Sequence, residues 1–209
     1  MRRAAMGVLR LLRELPLSLR ELIGLALSEV GGGSAELLGQ LEAFLRGRLV
    51  SLLAEEGVRE EVAEAVVASG FDRVDQAWAR AETLAQVLRE DPELVRTVHT
   101  SYRRAKRLAL PGECAAEGEV EEALLATLRR VTEAVEELSR EGRWREVLVS
   151  LGGFSEPLRA FFDQLLVMDP DPKVQGRRRA LLAGVAETMA VFADFEVLPV
   201  TLFPDAEKV

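Results

Sequence analysis

The sequence predicts an all-α protein, a helical bundle, on three observations. Apolar residues recur at helical spacing almost everywhere, runs of strict alternation bounded by turn residues are missing, and the loops are short enough to make neighbouring helices antiparallel. With 209 residues, 48% apolar and 30% charged, the chain can bury one substantial core or two small ones without staples.

The first helix carries Val8, Leu9, Leu11 and Leu12 and should stop near Pro16. Ser18 then caps a second helix with Leu19, Leu22, Ile23, Ala26 and Leu27. Gly31-Gly32-Gly33-Ser34 is the clearest break, a turn or short linker; no strand pattern precedes it and no Lys follows, so it is unlike a phosphate cradle. A long helix follows with Leu37, Leu38, Leu41, Phe44, Leu45, Leu49, Leu52 and Leu53, ended by Gly57. Val58, Val62, Ala65 and Val66 make a shorter partner. From Asp72, read as an N-cap, the stripe Val74, Ala77, Trp78, Ala81, Leu84, Ala85 and Leu88 runs to Asp91-Pro92.

The next helix, from about Pro92 to Leu110, should bury Leu94, Val95, Val98, Tyr102, Ala105 and Ala109. After a loop, Val120, Leu124, Leu128, Val131, Val135 and Leu138 define a long helix stopped by Gly142. Trp144, Val147, Leu148 and Leu151 define a short one. Ser155 is expected to cap the following helix, with Pro157 in its first turn, where a missing N–H does no harm. Leu158, Phe161, Phe162, Leu165 and Leu166 should face inward until Asp169-Pro170-Asp171-Pro172 ends it. The last helix uses Val174, Leu181, Leu182, Val185, Met189 and Phe192, and residues after Pro199 form a docked or frayed tail.

Little catalytic chemistry is available. His99 is the only histidine, which excludes histidine-rich metal sites and leaves any triad with one member. The acidic pairs Glu55-Glu56, Glu60-Glu61, Glu121-Glu122 and Glu136-Glu137 point about 100° apart on a helix and are read as solvated faces. The lone Cys114 cannot form an intramolecular disulfide and fits a reducing compartment, the cytoplasm, while Glu113 and Glu117 would raise its pKa rather than activate it. Arg10, Arg13 and Glu14 interrupt anything like a signal-peptide core, and no segment approaches the ~20 apolar residues of a membrane span. No catalytic residue, metal ligand or cofactor site is assigned, and a stand-alone enzyme is the weakest reading.

Electrostatics is more informative. A net charge of -8 argues against nucleic-acid binding unless a local basic face exists. Arg96, Thr100, Arg103 and Arg107, spaced by four, three and four, share one helix stripe, flanked by Arg104 and Lys106, and Leu94 to Leu110 contains no acidic residue. Such a stripe suits phosphate tracking; the bland reading is a solvated cationic face neutralised by a Glu-rich neighbour. A second cluster, Arg177-Arg178-Arg179, fans across about 200°. Arg178 falls towards the apolar side and is expected to pair with Asp163 or Asp171, whereas Arg177 or Arg179 is expected to face solvent and both are candidates for RNA. The helix N-terminus near Gly176 and Arg177 could receive a phosphate. Phe161-Phe162 is read as packing rather than base stacking.

The run Phe161-Phe162-Asp163-Gln164-Leu165-Leu166-Val167-Met168, then Asp171, Arg178-Arg179-Ala180-Leu181-Leu182 and Ala193-Asp194-Phe195, resembles the end of glycyl-tRNA synthetase beta subunits, whose pattern reads approximately FFDxVMVM, LRxNRLxLL and ADF. Phe71-Asp72 and Arg103-Arg104-Ala105 resemble the first helices of the same DALR-type anticodon-binding domain. Arg2-Arg3-Ala4-Ala5-Met6-Gly7-Val8-Leu9-Arg10 is similar to the RRAAxGVLR segment just before it. Here Val174-Gln175-Gly176-Arg177 replaces the LRxN stretch, Arg179 stands in place of an apolar residue, and Pro170 and Pro172 stiffen the turn, so base-reading roles are not carried over to these positions.

The resemblance implies a helical segment at 1–70, a DALR-like anticodon-binding bundle at 71–202 and a tail at 203–209. It also implies a distal, non-catalytic part of a beta subunit that binds tRNA(Gly), beside an alpha subunit carrying the aminoacylation site in an alpha2beta2 assembly. ATP and Mg would serve the holoenzyme and no cofactor would serve this part; neither DNA nor membrane is an expected partner. The alternatives are a helical protein-interaction scaffold and the related domain of arginyl-tRNA synthetase, against which the RRAAxGVLR-like start weighs.

Overall fold

A computed structural model of the protein describes residues 2–29, 31–32 and 35–203, at Arg2 the backbone alone. The Gly33-Ser34 half of the glycine-rich break and all but Phe203 of the 203–209 tail lie outside the described residues. Among these the protein is all-α, as the periodicity predicts. Ten α-helices and two 3-10 turns are joined by short loops, and the β-structure is one isolated antiparallel bridge between Ser18 and Arg73. No helix among the described residues is long and apolar enough to cross a membrane.

The chain divides into two compact units, Met1–Ala85 and Gln86–Val209. The first holds α1 (Arg2–Glu14), α2 (Leu19–Glu29), α3 (Ala35–Glu55), α4 (Glu60–Ala68) and most of α5 (Val74–Glu90). The boundary expected at 70/71 falls just ahead of α5; the first turns of that helix, with Val74, Ala77, Trp78 and Ala81 buried, belong to the first unit.

α3 is the spine of this unit and packs on α1 and α4. Leu45, Leu49, Leu52 and Leu53 are buried, while Leu37 and Phe44 near its start stay exposed. Gly57 adopts φ +89, which lets the Val58 N–H reach back to the Leu53 carbonyl at 3.0 Å and close the helix. Ser18 caps α2 by accepting from the Glu21 N–H at 3.1 Å. Asp72 does not cap α5, contrary to the reading from sequence. Its carboxylate is taken up by the first turn of α2, accepting from the Arg20 N–H at 2.8 Å and from the Ser18 hydroxyl at 3.0 Å.

The second unit contains α6 (Pro92–Leu108), α7 (Glu119–Arg140), α8 (Trp144–Gly152), α9 (Ser155–Gln164) and α10 (Pro172–Ala190), followed by 3-10 turns at Phe195–Val197 and Val200–Leu202. α6 packs on α8, α9 and α10, and α7 packs on the same three helices. Gly184 sets the approach of α10 to α7, since a Cβ there would meet Leu128 Cδ2 at 2.8 Å and Cys114 Sγ at 3.1 Å. Asp91 caps α6, accepting from the Leu94 N–H at 3.1 Å, with Pro92 in the first turn.

Three local expectations fail here. Gly153 and Phe154 both keep helical dihedrals, so α8 runs almost directly into α9 and Ser155 is the first residue of α9 rather than its cap. α9 stops at Gln164, ahead of the Asp169-Pro170 turn, because Leu165 is extended. That leaves Leu166 64% exposed; within α9, Phe161 is fully buried and Phe162 only half-buried. α6 ends at Leu108, and the Leu110 N–H bonds the Arg179 carbonyl on α10 instead of continuing the helix.

Candidate nucleic-acid interface

The basic stripe is built by α6 alone. Val95, Val98, Tyr102 and Ala105 are buried against the rest of the unit, which turns Thr100, Arg103, Arg104 and Arg107 outwards. No carboxylate pairs with Arg103, Arg104 or Arg107 among the described residues. Arg96 differs: its Nε donates to Glu93 Oε2 at 2.8 Å, so part of its charge is answered within its own helix. The cationic last turn of α6 also suits the negative end of the helix dipole.

Two shallow cavities flank the stripe. One, of about 400 Å³, is lined by Arg103, Arg107, His99, Glu196 and Phe203, and the other, of about 320 Å³, by Glu93, Ser155 and Arg159. Arg96, Thr100 and Arg104 line both and form the ridge between them. Grooves on either side of a cationic ridge can seat a polyanion backbone, because arginine forks match phosphate oxygens.

Lys106 sits differently from the arginines. Its ammonium lies 3.0 Å from both oxygens of Asp194 and 3.2 Å from Glu196. Burial alone would lower its pKa, but hydrogen bonds to Tyr102, Asp194 and Glu196 outweigh this and raise it. Asp194 also accepts from the Tyr102 hydroxyl at 3.0 Å and from the Glu196 N–H at 3.1 Å, so it caps the Phe195–Val197 turn and ties it to α6. Burial pushes the Asp194 carboxyl up, yet these donors hold it below its usual range. Lys106 is thus a fastener of the stripe's edge.

His99 is buried beneath the ridge. Burial lowers its pKa, partly offset by the Leu198 carbonyl, and Arg103 lowers it further. The neutral ring donates from Nε2 to Leu198 O at 3.1 Å, since a carbonyl only accepts. Phe203 packs on the ring at 5.1 Å.

The second cluster is drawn inward. Arg177 Nε reaches Glu121 Oε2 at 2.7 Å and its outer nitrogen reaches Glu117 at 3.1 Å. Arg178 pairs with Glu121 at 2.8 Å and Asp169 at 3.1 Å. Asp163 and Asp171, the partners expected for Arg178, do not meet it: Asp163 is exposed, and Asp171 caps α10 by accepting from the Lys173 N–H at 2.8 Å. Arg179 donates to the Leu108 carbonyl at 3.0 Å, neutralising the C-terminal end of α6. Arg177 and Arg179 are therefore half-buried and bonded within the protein, and neither is the solvent-facing member of the pair that the sequence leads one to expect.

Glu121 is the residue that sequence reasoning misses, because it looks like half of a solvated acidic pair. Its carboxylate is 1% exposed and unites Arg177 and Arg178. Burial pushes its pKa up, but hydrogen bonds from Arg177, Arg178 and the Glu117 N–H outweigh this and lower it. A signal is present in the spacing: Glu121 precedes Leu124 by three and Leu128 by seven, in register with the buried stripe of α7.

A family model described as glycyl-tRNA synthetase beta subunit matches residues 1–68. Pairwise likeness runs on through the second unit. The glycine--tRNA ligase beta subunit of Acinetobacter baylyi is 33% identical over 95% of this chain and 30% of its own length. That of Edwardsiella ictaluri is 31% identical with 95% and 30% covered, and that of Syntrophotalea carbinolica 28% identical with 93% and 30% covered. The chain spans about 30% of the length of the curated relatives it matches. Family model and relatives together support one family for this chain, that of the glycyl-tRNA synthetase beta subunits.

Proposed function

We propose that the second unit, Gln86–Val209, is a tRNA-binding module of the DALR-type anticodon-binding kind, and that the outward side of α6 carries its phosphate contacts. The observation behind this reading is the pairing state of the arginines on that side. In a protein of net charge -8, Arg103, Arg104 and Arg107 stand together on one exposed helix surface with no carboxylate partner among the described residues, beside a cavity able to seat a phosphate. Within a glycine--tRNA ligase the chain would hold tRNA(Gly), and aminoacylation with ATP and Mg would take place on an alpha subunit in a cytoplasmic alpha2beta2 assembly. Here the chain's own residues bind and orient RNA and supply no acid, base or nucleophile.

The test is direct binding of the purified chain to tRNA(Gly) and to an anticodon-swapped version at two salt concentrations. Affinity that falls steeply with salt and favours tRNA(Gly) supports the module. Salt-dependent binding with no preference restricts the reading to phosphate tracking. No binding at low salt overturns it in favour of a protein-interaction scaffold.

A further inference from the structure

Arg104 is backed by an aromatic ring: its guanidinium carbon lies over Phe162, 4.5 Å from the ring centre. Phe162 is itself half-buried and braced by Phe161, whose ring meets it at 5.8 Å and 90°. The ring orients Arg104, since no carboxylate pairs with it among the described residues. A guanidinium is planar and weakly hydrated, and one laid on an aromatic ring keeps its other face open to a second flat group. Arg104 lies between the two cavities, with the exposed Thr100 hydroxyl one turn away and the exposed Arg103 and Arg107 alongside.

We propose that Arg104, backed by Phe162, is a stacking platform for one unpaired base of an RNA loop, while Arg103 and Arg107 hold the flanking phosphates. The proposal rests on the RNA-binding reading and deepens it by naming the residues that would hold an unpaired base on this ridge. Arginine planes and aromatic rings recognise splayed bases in loops. Duplex RNA offers no free base face, so a platform here selects loops over helices. Thr100 is placed to accept from or donate to the edge of the stacked base.

The experiment compares the full chain and its variants on a stem-loop RNA and a blunt duplex RNA of equal charge, with 2-aminopurine in the loop as a stacking reporter. Arg104→Lys keeps the charge and loses the plane; Phe162→Leu removes the backing ring. Each should weaken stem-loop binding about tenfold, the scale of one stacked base, and abolish the fluorescence quenching on binding. Duplex affinity should stay within about twofold, because the phosphate contacts persist. Arg104→Lys alters an exposed side chain, so it keeps the test valid if Phe162→Leu folds poorly. Equal losses on both RNAs, or no loss with Arg104→Lys, overturn the platform. If Arg103→Gln with Arg107→Gln weakens both RNAs while Arg104→Lys changes neither, the platform falls and the RNA-binding surface stands. If the unaltered chain binds neither RNA, both fall together.

Discussion

Arg178 donates from Nε to Glu121 Oε1 at 2.8 Å, and this bond locks the start of α10 onto the start of α7. The same carboxylate takes Arg177, so one buried anion holds two half-buried cations. Removing it leaves both without their shared counter-charge. Glu121→Ala should cost about 3 to 5 kcal/mol, as expected for breaking a buried pair from one side. Chemical denaturation reads this directly; an unchanged midpoint would show that Asp169 and Glu117 suffice. The pH dependence has a fixed sign. A carboxyl whose pKa is lowered by folding stabilises above its unfolded value, about 4.3 for Glu, and that stability is lost as pH falls through the folded value. The thermal midpoint should therefore drop below about pH 4.3, and Glu121→Gln should flatten that drop.

The two adjacent phenylalanines should separate cleanly. Phe161 is fully buried, so Phe161→Ala should cost ~3 to 5 kcal/mol. Phe162 is half-buried under Arg104, and Phe162→Ala should cost clearly less. Equal losses in thermal stability would show that Phe162 carries as much of the core as its neighbour.

That pair also shows where the sequence is legible and where it is not. Helical periodicity places Phe161, Val98, Tyr102 and Leu181 in the core because burial of one stripe follows from 3.6 residues per turn. Leu166 extrapolates along a helix that ends at Gln164, and a helix end is set by where backbone and side chains find partners, not by periodicity. Phe162 lies within that helix but at the margin of its buried face, where Arg104 covers its ring. The outward position of Arg103 and Arg107 is readable from spacing. The pairing of Lys106 with Asp194, 88 residues away, and of Glu121 with Arg177 and Arg178 is not, because such partners are decided by tertiary packing. Arg177 and Arg179, surface charges by local pattern, are drawn inward for the same reason.

Glu196 offers a gain-of-affinity test. It is more than half exposed, lines the cavity beside Arg103 and Arg107, and shares Lys106 with Asp194. Glu196→Gln removes a negative charge from the proposed phosphate groove while Asp194 keeps Lys106 in place. Stability should stay within about 0.5 kcal/mol, as for most surface changes. Binding of tRNA should tighten at low salt, with the gain fading as salt screens the charge. Weaker binding would mean that Glu196 holds the groove in shape or contacts the RNA itself.

The most direct test of the basic surface removes two exposed cations of the α6 stripe. Arg103 and Arg107 are four residues apart, both exposed, and no carboxylate pairs with either among the described residues, so their charge is available to an external anion. Neither touches the buried stripe of Val98, Tyr102 and Ala105 by position on the helix, and Arg103→Gln with Arg107→Gln should leave the thermal midpoint nearly unchanged. The double variant should bind tRNA more weakly at low salt. The slope of log affinity against log salt should shrink by about 0.7 to 0.9 for each phosphate that is no longer neutralised. Phosphate contacts position RNA without reading its sequence, so the preference for tRNA(Gly) over an anticodon-swapped tRNA should change much less than the affinity. A folded double variant with undiminished affinity and salt slope would make the ridge a solvated face. Contacts would then have to come from elsewhere on the chain, and Arg177 and Arg179, held by Glu121 and the Leu108 carbonyl, could serve only after those bonds opened.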